Sequence, residues 1–342
     1  MEHHSFITHF CAIIHRELIK KGGYVSKLKI SAVIPAYNSG EYITEAINSI
    51  LSQTHPVDEV IVIDDGSTDN TEAVIRGLHA DIVYFKQVNQ GPSAARNQGV
   101  KLAQGDWIAF LDADDQWVPD KIARQLANLE RYPELRLLTA DMKEIDKQGE
   151  VLTDSALAKH KLLDEFQQLA GAPLPNAATA LLRKNFIPPS TVLVWREALL
   201  DAGLFNESIR FGEDLELWVK IAAKYPINCL PEILILRRLH GNNATQNILG
   251  MLEDLVKVMR SLKNTIPNEL VNQYCNPDKL IADSLADLGY WHFSQANYQK
   301  ARAAFWESVK AKITGRAVLY LIAAWLPPSV ISGIKAIKTL SS

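Results

Sequence analysis

From residue 29 onward the chain alternates short apolar runs with amphipathic helical stretches, and this alternation restricts the fold more than any other feature. Residues 30–34 read as a buried strand closed by Pro35 and the loop Asn38-Ser39-Gly40; Ile43, Ala46, Ile47 and Ile50 then recur at helical spacing. Val60-Ile61-Val62-Ile63 is a second strand pattern, ending in Asp64-Asp65-Gly66-Ser67 and followed by a helix over 69–78 and a strand over 82–85. Gly91-Pro92-Ser93 opens another helix, since the fixed φ of proline suits a first turn. Residues 107–111 form a fourth strand pattern, run into Asp112-Ala113-Asp114-Asp115 and lead to a helix over 119–132. The rhythm predicts an α/β fold, a Rossmann-like, mostly parallel sheet with helices on both faces.

In such sheets ligands bind outside the carboxyl ends of the strands. Three strands here end in loop-forming polar residues suited to that edge: Tyr37-Asn38, Asp64-Asp65 and Asp112 to Asp115. The first strand is followed by Pro-Ala-Tyr-Asn instead of a Gly-x-Gly-x-x-Gly turn, and no Gly-Lys-Ser/Thr loop occurs, which disfavours dinucleotide dehydrogenases and P-loop enzymes. Three acids within four residues repel one another unless a cation or a basic neighbour compensates. An oxygen-rich set of this kind suits Mg²⁺ or Mn²⁺; one such Asp alone would serve equally as a helix cap.

With 36 Lys+Arg against 39 Asp+Glu and a net charge of -3, the chain carries no global footprint for nucleic acid. Cys11, Cys229 and Cys275 are too far apart to read as a disulfide framework or a zinc knuckle, and reduced thiols point to the cytoplasm. Residues 1–28 form an N-terminal extension. Its histidines lack accompanying ligands at metal spacing, and its longest apolar run, 10–14, is too short for a signal segment or a membrane span.

Four motifs in order carry a resemblance: Val33-Ile34-Pro35-Ala36-Tyr37-Asn38, Ile63-Asp64-Asp65-Gly66-Ser67, Gly91-Pro92-Ser93-Ala94-Ala95-Arg96-Asn97, and residues 110–115. Together they resemble the family 2 glycosyltransferases, which implies the A-type glycosyltransferase fold and an inverting transfer from a nucleotide sugar. By the same resemblance Pro35, Ala36 and Tyr37 pack around the donor's base, Asp65 meets uracil or its ribose, and Arg96 orders the donor pocket. Asp112 and Asp114 match the family's Asp-x-Asp. Asp112 then faces the ribose and Asp114, Asp115 and His240 become candidate ligands of Mg²⁺ or Mn²⁺, the division among the three acids remaining open. Gly212-Glu213-Asp214 resembles the family's Glu-Asp pair, with Asp214 the general base, backed by Leu217 and Trp218 on a buried helix face. Arg237 and Arg238, just before His240, are placed to neutralise the leaving diphosphate.

The resemblance covers about residues 29–245, expected to divide into a nucleotide-sugar and metal half (29–140) and an acceptor half (141–245). Residues 246–342 read as a helical C-terminal region containing one tetratricopeptide-type hairpin at 283–305. Residues 317–334 hold no charge over 18 positions, but Pro327-Pro328 interrupts them. With Arg316, Lys335 and Lys338 flanking, they suit peripheral contact with the cytoplasmic face of the inner membrane. The expected activity is transfer from a UDP-linked sugar to a glycan or lipid-linked acceptor in cell-surface polysaccharide or glycoconjugate synthesis. The alternatives are a non-catalytic nucleotide-sugar-binding scaffold and a metal-dependent phosphohydrolase.

Overall fold

The computed structural model describes residues 28–240, 247–265 and 276–327. The histidines and apolar run of the N-terminal extension, Cys11, Cys275, Gly241-Asn242-Asn243 and the tail beyond 327 lie outside the described residues. The chain divides into two compact units that do not follow chain order. The first comprises residues 1–177, 186–204 and 224–240, and the second 178–185, 205–223 and 241–342.

The first unit is built on one nine-stranded sheet. Its strands are β1 (Ile30–Ala36), β2 (Glu59–Asp64), β3 (Val83–Lys86), β4 (Trp107–Phe110), β5 (Gln116–Trp117), β6 (Leu137–Ile145), β7 (Val151–Thr153), β8 (Leu193–Trp195) and β9 (Ile227–Arg238). They lie in the order β3-β2-β1-β4-β8-β6-β9-β5, with β7 on β6. The half formed by β3, β2, β1 and β4 is parallel, as the strand–helix rhythm predicts. Beyond β4 the sheet is mixed: β8 runs antiparallel to β4 and β6, β5 antiparallel to β9, and β9 parallel to β6.

Helices α1 (Ile43–Leu51), α2 (Thr71–Gly77), α3 (Pro92–Leu102) and α4 (Lys121–Arg131) follow β1, β2, β3 and β5. Alternation along β1 assigns them to faces. Ile30, Ala32, Ile34 and Ala36 join Ile43, Ala46, Ile47 and Ile50 of α1 in one buried core. Val33 points the other way and meets Gly99 of α3, where any Cβ would collide with the Val33 side chain. Helices therefore cover both faces, and glycine at 99 lets α3 approach the sheet closely. Each fully buried Ile in these rows contributes about 1.5–3 kcal/mol.

In the second unit, α5 (Glu213–Ala222) packs against α6 (Ile248–Thr265). Helices α7 (Pro277–Ser294) and α8 (Tyr298–Ala311) form the antiparallel hairpin expected near 283–305. Gly289 faces the Phe305 ring, and Ser308 Oγ donates to Ala282 O at 2.7 Å. Helix α9 (Gly315–Ala323) closes this group, its buried Ala317 turned inward and the following Ala324 packed with Phe293 and Phe305.

Candidate functional site

The carboxyl ends of β1, β2 and β4 carry the polar loops of the first unit. Asp65 N donates to Ala36 O at 2.8 Å and Asn38 N to Ser67 Oγ at 2.9 Å, so the loops after β1 and β2 are knitted together. Pro35 is half-buried and Ala36 buried, while the Tyr37 ring is 52% exposed and open for stacking. Asp64 is fully buried and structural: Oδ1 accepts from Ser67 N at 2.7 Å and Oδ2 from the Tyr84 hydroxyl at 2.6 Å. Burial pushes this carboxyl up, but the bonds from Tyr84 and Ser67 and the charge of Lys86 outweigh it and leave it below its ordinary range.

Asp65 is also buried. Its Oδ1 accepts from Gln87 Nε2 at 2.8 Å and Gln90 N at 2.9 Å, and its Oδ2 accepts from Gly91 N at 2.7 Å. It therefore anchors the turn that opens α3, where Gly91 has φ +91°. A contact to a base or ribose would be an additional bond on a carboxylate that already accepts three.

The acid cluster after β4 splits three ways. Asp112 Oδ1 accepts from Nη2 of the buried Arg96 at 2.7 Å. Asp114 Oδ2 lies 2.9 Å from His240 Nε2. Asp115, 4% exposed, accepts from Ser190 Oγ at 2.6 Å through Oδ2 and from Arg238 N at 2.9 Å through Oδ1. The three acids were grouped in sequence as one candidate metal set, but Asp115 is held inside as a tie between the loop and β9. The acids of this loop left partly exposed are Asp112 and Asp114.

Burial raises the Asp114 carboxyl, and the charge of Asp112 adds to this against the opposing His240 bond. Burial and the charges of Asp114 and Asp112 raise Asp115 further. An ionised pair at 112 and 114 thus needs compensating positive charge. Carboxylate oxygen and an imidazole nitrogen are donors that Mg²⁺ or Mn²⁺ accepts, so the residues present fit such an ion. Among the described residues, no three His, Cys, Asp or Glu side chains converge into an enclosing ligand set.

Arg238 differs from the sequence expectation. Its guanidinium, buried with its side chain, donates from Nε to Asp114 O at 3.3 Å, from Nη1 to Lys147 O at 3.0 Å and from Nη2 to Glu45 Oε2 at 2.6 Å. It also lies over the Tyr42 ring at 5.2 Å, and that ring stacks on His240 with centroids 5.4 Å apart. A planar fork with several fixed donors suits this clamp. Arg238 thereby joins β9, α1 and the acid loop instead of standing open for a diphosphate. Arg237 lies 3.7 Å from Glu144, across the β6–β9 pairing.

Sequence reasoning passed over the layer beneath the acids. Ser190, in a single 3₁₀ turn (Pro189–Thr191), accepts from Asp112 N at 3.0 Å and donates to Asp115. Trp117 Nε1 donates to Ser190 O at 3.0 Å. The fully buried Lys121 has Nζ 4.3 Å from the Trp117 ring centroid and donates to Gln125 Oε1 at 2.9 Å; Gln125 Nε2 in turn donates to Thr191 O at 3.0 Å. Burial holds the Lys121 amine well below its ordinary range. The available signal was the Lys121/Gln125 spacing of four on a helix starting just after the acids.

The candidate base belongs to the second unit. Gly212, at φ +81°, starts α5, and Asp254 of α6 accepts from Arg210 N at 2.8 Å and Phe211 N at 3.0 Å, fixing the approach to that turn. Asp214 Oδ1 accepts from Leu215 N at 2.7 Å and Oδ2 from Asn185 Nδ2 at 3.3 Å. Glu216 is fully buried and accepts from Lys220 at 2.8 Å and from Ser261. Leu217 and Trp218 are buried as the spacing predicts, with Trp218 edge-on to Phe205 at 5.6 Å. Cys229 is buried and its thiol is pushed up by burial, so it is inert packing.

Comparison with known proteins adds four findings. The model of the family described as Glycosyl transferase family 2 matches residues 31–168. An uncharacterized glycosyltransferase of Rickettsia conorii is 36% identical over 221 residues, 64% of this chain and 34% of the relative. The chondroitin synthase of Escherichia coli is 26% identical over 291 residues, 82% of this chain and 36% of the relative. The chain thus spans about a third of the length of the curated relatives it first matches. Of the solved structures, S. aureus TarS 1-349 in complex with UDP-GlcNAc aligns with a TM-score of 0.65 at 19% identity, over 87% of this chain and 89% of that one. At that identity the likeness speaks for the fold alone.

Proposed function

Since this chain belongs to glycosyltransferase family 2, we propose that it moves a sugar from a UDP-linked donor to an acceptor hydroxyl with inversion at the anomeric carbon. The observation that carries the reading is the divergence of the two acids of the Asp-x-Asp. Asp112 is fixed by Arg96, and Asp114 pairs with His240. A pair of acids serving only as a helix cap would not need separate partners, one of them a buried arginine.

Tyr37 offers an exposed ring to the donor's base. Arg96 holds Asp112 through Oδ1, leaving Oδ2 for a ribose hydroxyl. Asp114 and His240 would supply the oxygen and nitrogen for Mg²⁺ or Mn²⁺. When bound, such an ion contributes positive charge that favours departure of the nucleoside diphosphate. Asp214 takes the proton of the acceptor hydroxyl as it attacks from the face opposite the leaving group, and this single displacement inverts the carbon. Holding donor and acceptor in line contributes much of the rate.

A glycan or lipid-linked acceptor at the cytoplasmic face of the inner membrane, in cell-surface polysaccharide or glycoconjugate assembly, fits the family. The likeness to a chondroitin synthase supports a polysaccharide product. The test is incubation with UDP-, GDP- and dTDP-sugars, Mn²⁺ and a panel of glycan primers, read by mass spectrometry. Extension of a primer with release of UDP is the expected result. Sugar phosphate or nucleoside monophosphate as sole product would indicate a phosphohydrolase, and tight donor binding without turnover a scaffold.

A further inference from the structure

Apart from Arg316 in its first turn, helix α9 carries no charge, yet it packs on only one side. Ala317 is fully buried, and Tyr320, Leu321, Ala323 and the following Ala324 pack against Phe293 and Phe305 of α7 and α8. On its other side Leu319 is 64% exposed, Ile322 60% and Trp325 71%, with Leu326 also exposed. Leu319 and Ile322 lie one turn apart on the same side of the helix, and Trp325 and Leu326 follow in the turn after its end. A contiguous apolar strip of this kind on a second-unit helix marks a contact surface.

The charge of the surrounding sequence bears on what the strip contacts. Residues 310–342 contain Lys310, Lys312, Arg316, Lys335 and Lys338 and no Asp or Glu. Glu307 and Asp287 pair with Lys310 and Arg316 from outside this stretch. Arg302 lies 4.4 Å from the Trp325 ring centroid, placing another cation at the strip's edge. None of the described helices is long and apolar enough to cross a bilayer. An exposed apolar strip in a stretch that carries basic residues and no acidic ones, with an indole beside an arginine, matches the interfacial mode of binding to anionic lipid. We propose that the outer face of α9 and the turn after it dock the protein onto an anionic lipid surface, with Leu319, Ile322 and Trp325 inserted among the acyl chains and the basic charge of residues 310–342 drawing the chain to the headgroups.

This deepens the membrane-side location proposed above, and its test separates the two. The full chain is sedimented with vesicles of phosphatidylcholine alone and with added phosphatidylglycerol. Expected is pelleting on the anionic vesicles that falls with salt, and a loss of at least ~10-fold in the double variant Leu319→Ser/Ile322→Ser. Lys335→Gln/Lys338→Gln should weaken it to a lesser degree. Quenching of indole fluorescence by brominated lipid, absent in Trp325→Phe, gives a readout that does not depend on the double variant folding. Transfer to a soluble acceptor should be unchanged in all variants; if it is lost while lipid binding persists, the enzymatic reading fails and the docking face stands. No pelleting, or equal pelleting of the double variant with unchanged quenching, overturns the proposal. So does a lipid-independent dimer that the double variant converts to monomer, since a second copy would then cover the strip.

Discussion

The hydroxyl of Ser190 lies 2.6 Å from Oδ2 of Asp115 and orders an acid held inside the loop. The same oxygen accepts the amide of Asp112 at 3.0 Å, so one serine sets both ends of the acid loop.

Ser190→Ala should therefore act on the loop and on stability together. It removes a buried donor from a carboxylate and an acceptor from an amide, a cost of about 1–3 kcal/mol. Urea unfolding should show that loss, and donor affinity should fall with it. Unchanged affinity in a destabilised variant would mean that the loop is positioned without Ser190.

Arg96→Ala leaves Asp112 beside Asp114 without its guanidinium. Because Asp112 is partly exposed, the cost should stay at about 2–3 kcal/mol, below that of breaking a fully buried pair. Arg96→Lys should recover only part of the donor affinity, since a point charge lacks the fixed donor geometry of the fork. Calorimetric titration with UDP-sugar and Mn²⁺ measures both variants.

Asp214→Asn keeps the shape of the side chain and removes the base. Turnover should drop by about 10²–10⁴-fold while donor binding by calorimetry stays the same. Equal activity in the variant would assign proton removal to another group.

Lys121 carries a pH signature. Burial holds its amine well below the ordinary range, so the folded chain keeps it neutral where the unfolded chain is protonated. Between the depressed folded value and the unfolded value, unfolding takes up a proton, and stability rises with pH. Relative to Lys121→Met, the wild type should gain stability as the pH rises toward the ordinary lysine range, by at most about 1.36 kcal/mol per pH unit. Chemical unfolding at several pH values tests the slope whatever the offset between the two proteins. A flat difference would mean that Lys121 stays charged when folded.

The strand–helix rhythm made the parallel half of the sheet legible from residues 30–111, because buried parallel strands are short continuous apolar runs. The A-type glycosyltransferase fold followed from motifs at the strand ends, and the match to TarS bears it out. The two-residue strand β5 was not legible, since two residues show no period. Nor was the role of Arg238, which depends on carbonyls at 114, 146 and 147 that come together only in space. Ser190 and Lys121 were hidden for a similar reason: a loop serine and a helical lysine read as surface residues until burial is known. The placement of 205–223 with the C-terminal helices depends on Asp254 reaching back to Arg210 and Phe211, a separation no local pattern records.

Strand β5 is the last strand of the sheet and has one ladder neighbour, pairing Gln116 with Leu236 and Trp117 with Ile235. Side chains along a strand alternate between faces, so its register admits only whole-residue steps. A slip of one would turn Trp117 off Ser190 and carry Asp115 away from the Arg238 amide. The acid loop consequently has no graded range of positions: an insertion or deletion between 112 and 116 either restores the register or abolishes the arrangement. Length variation among related sequences should therefore avoid these five positions and collect in the loops on the opposite edge of the sheet.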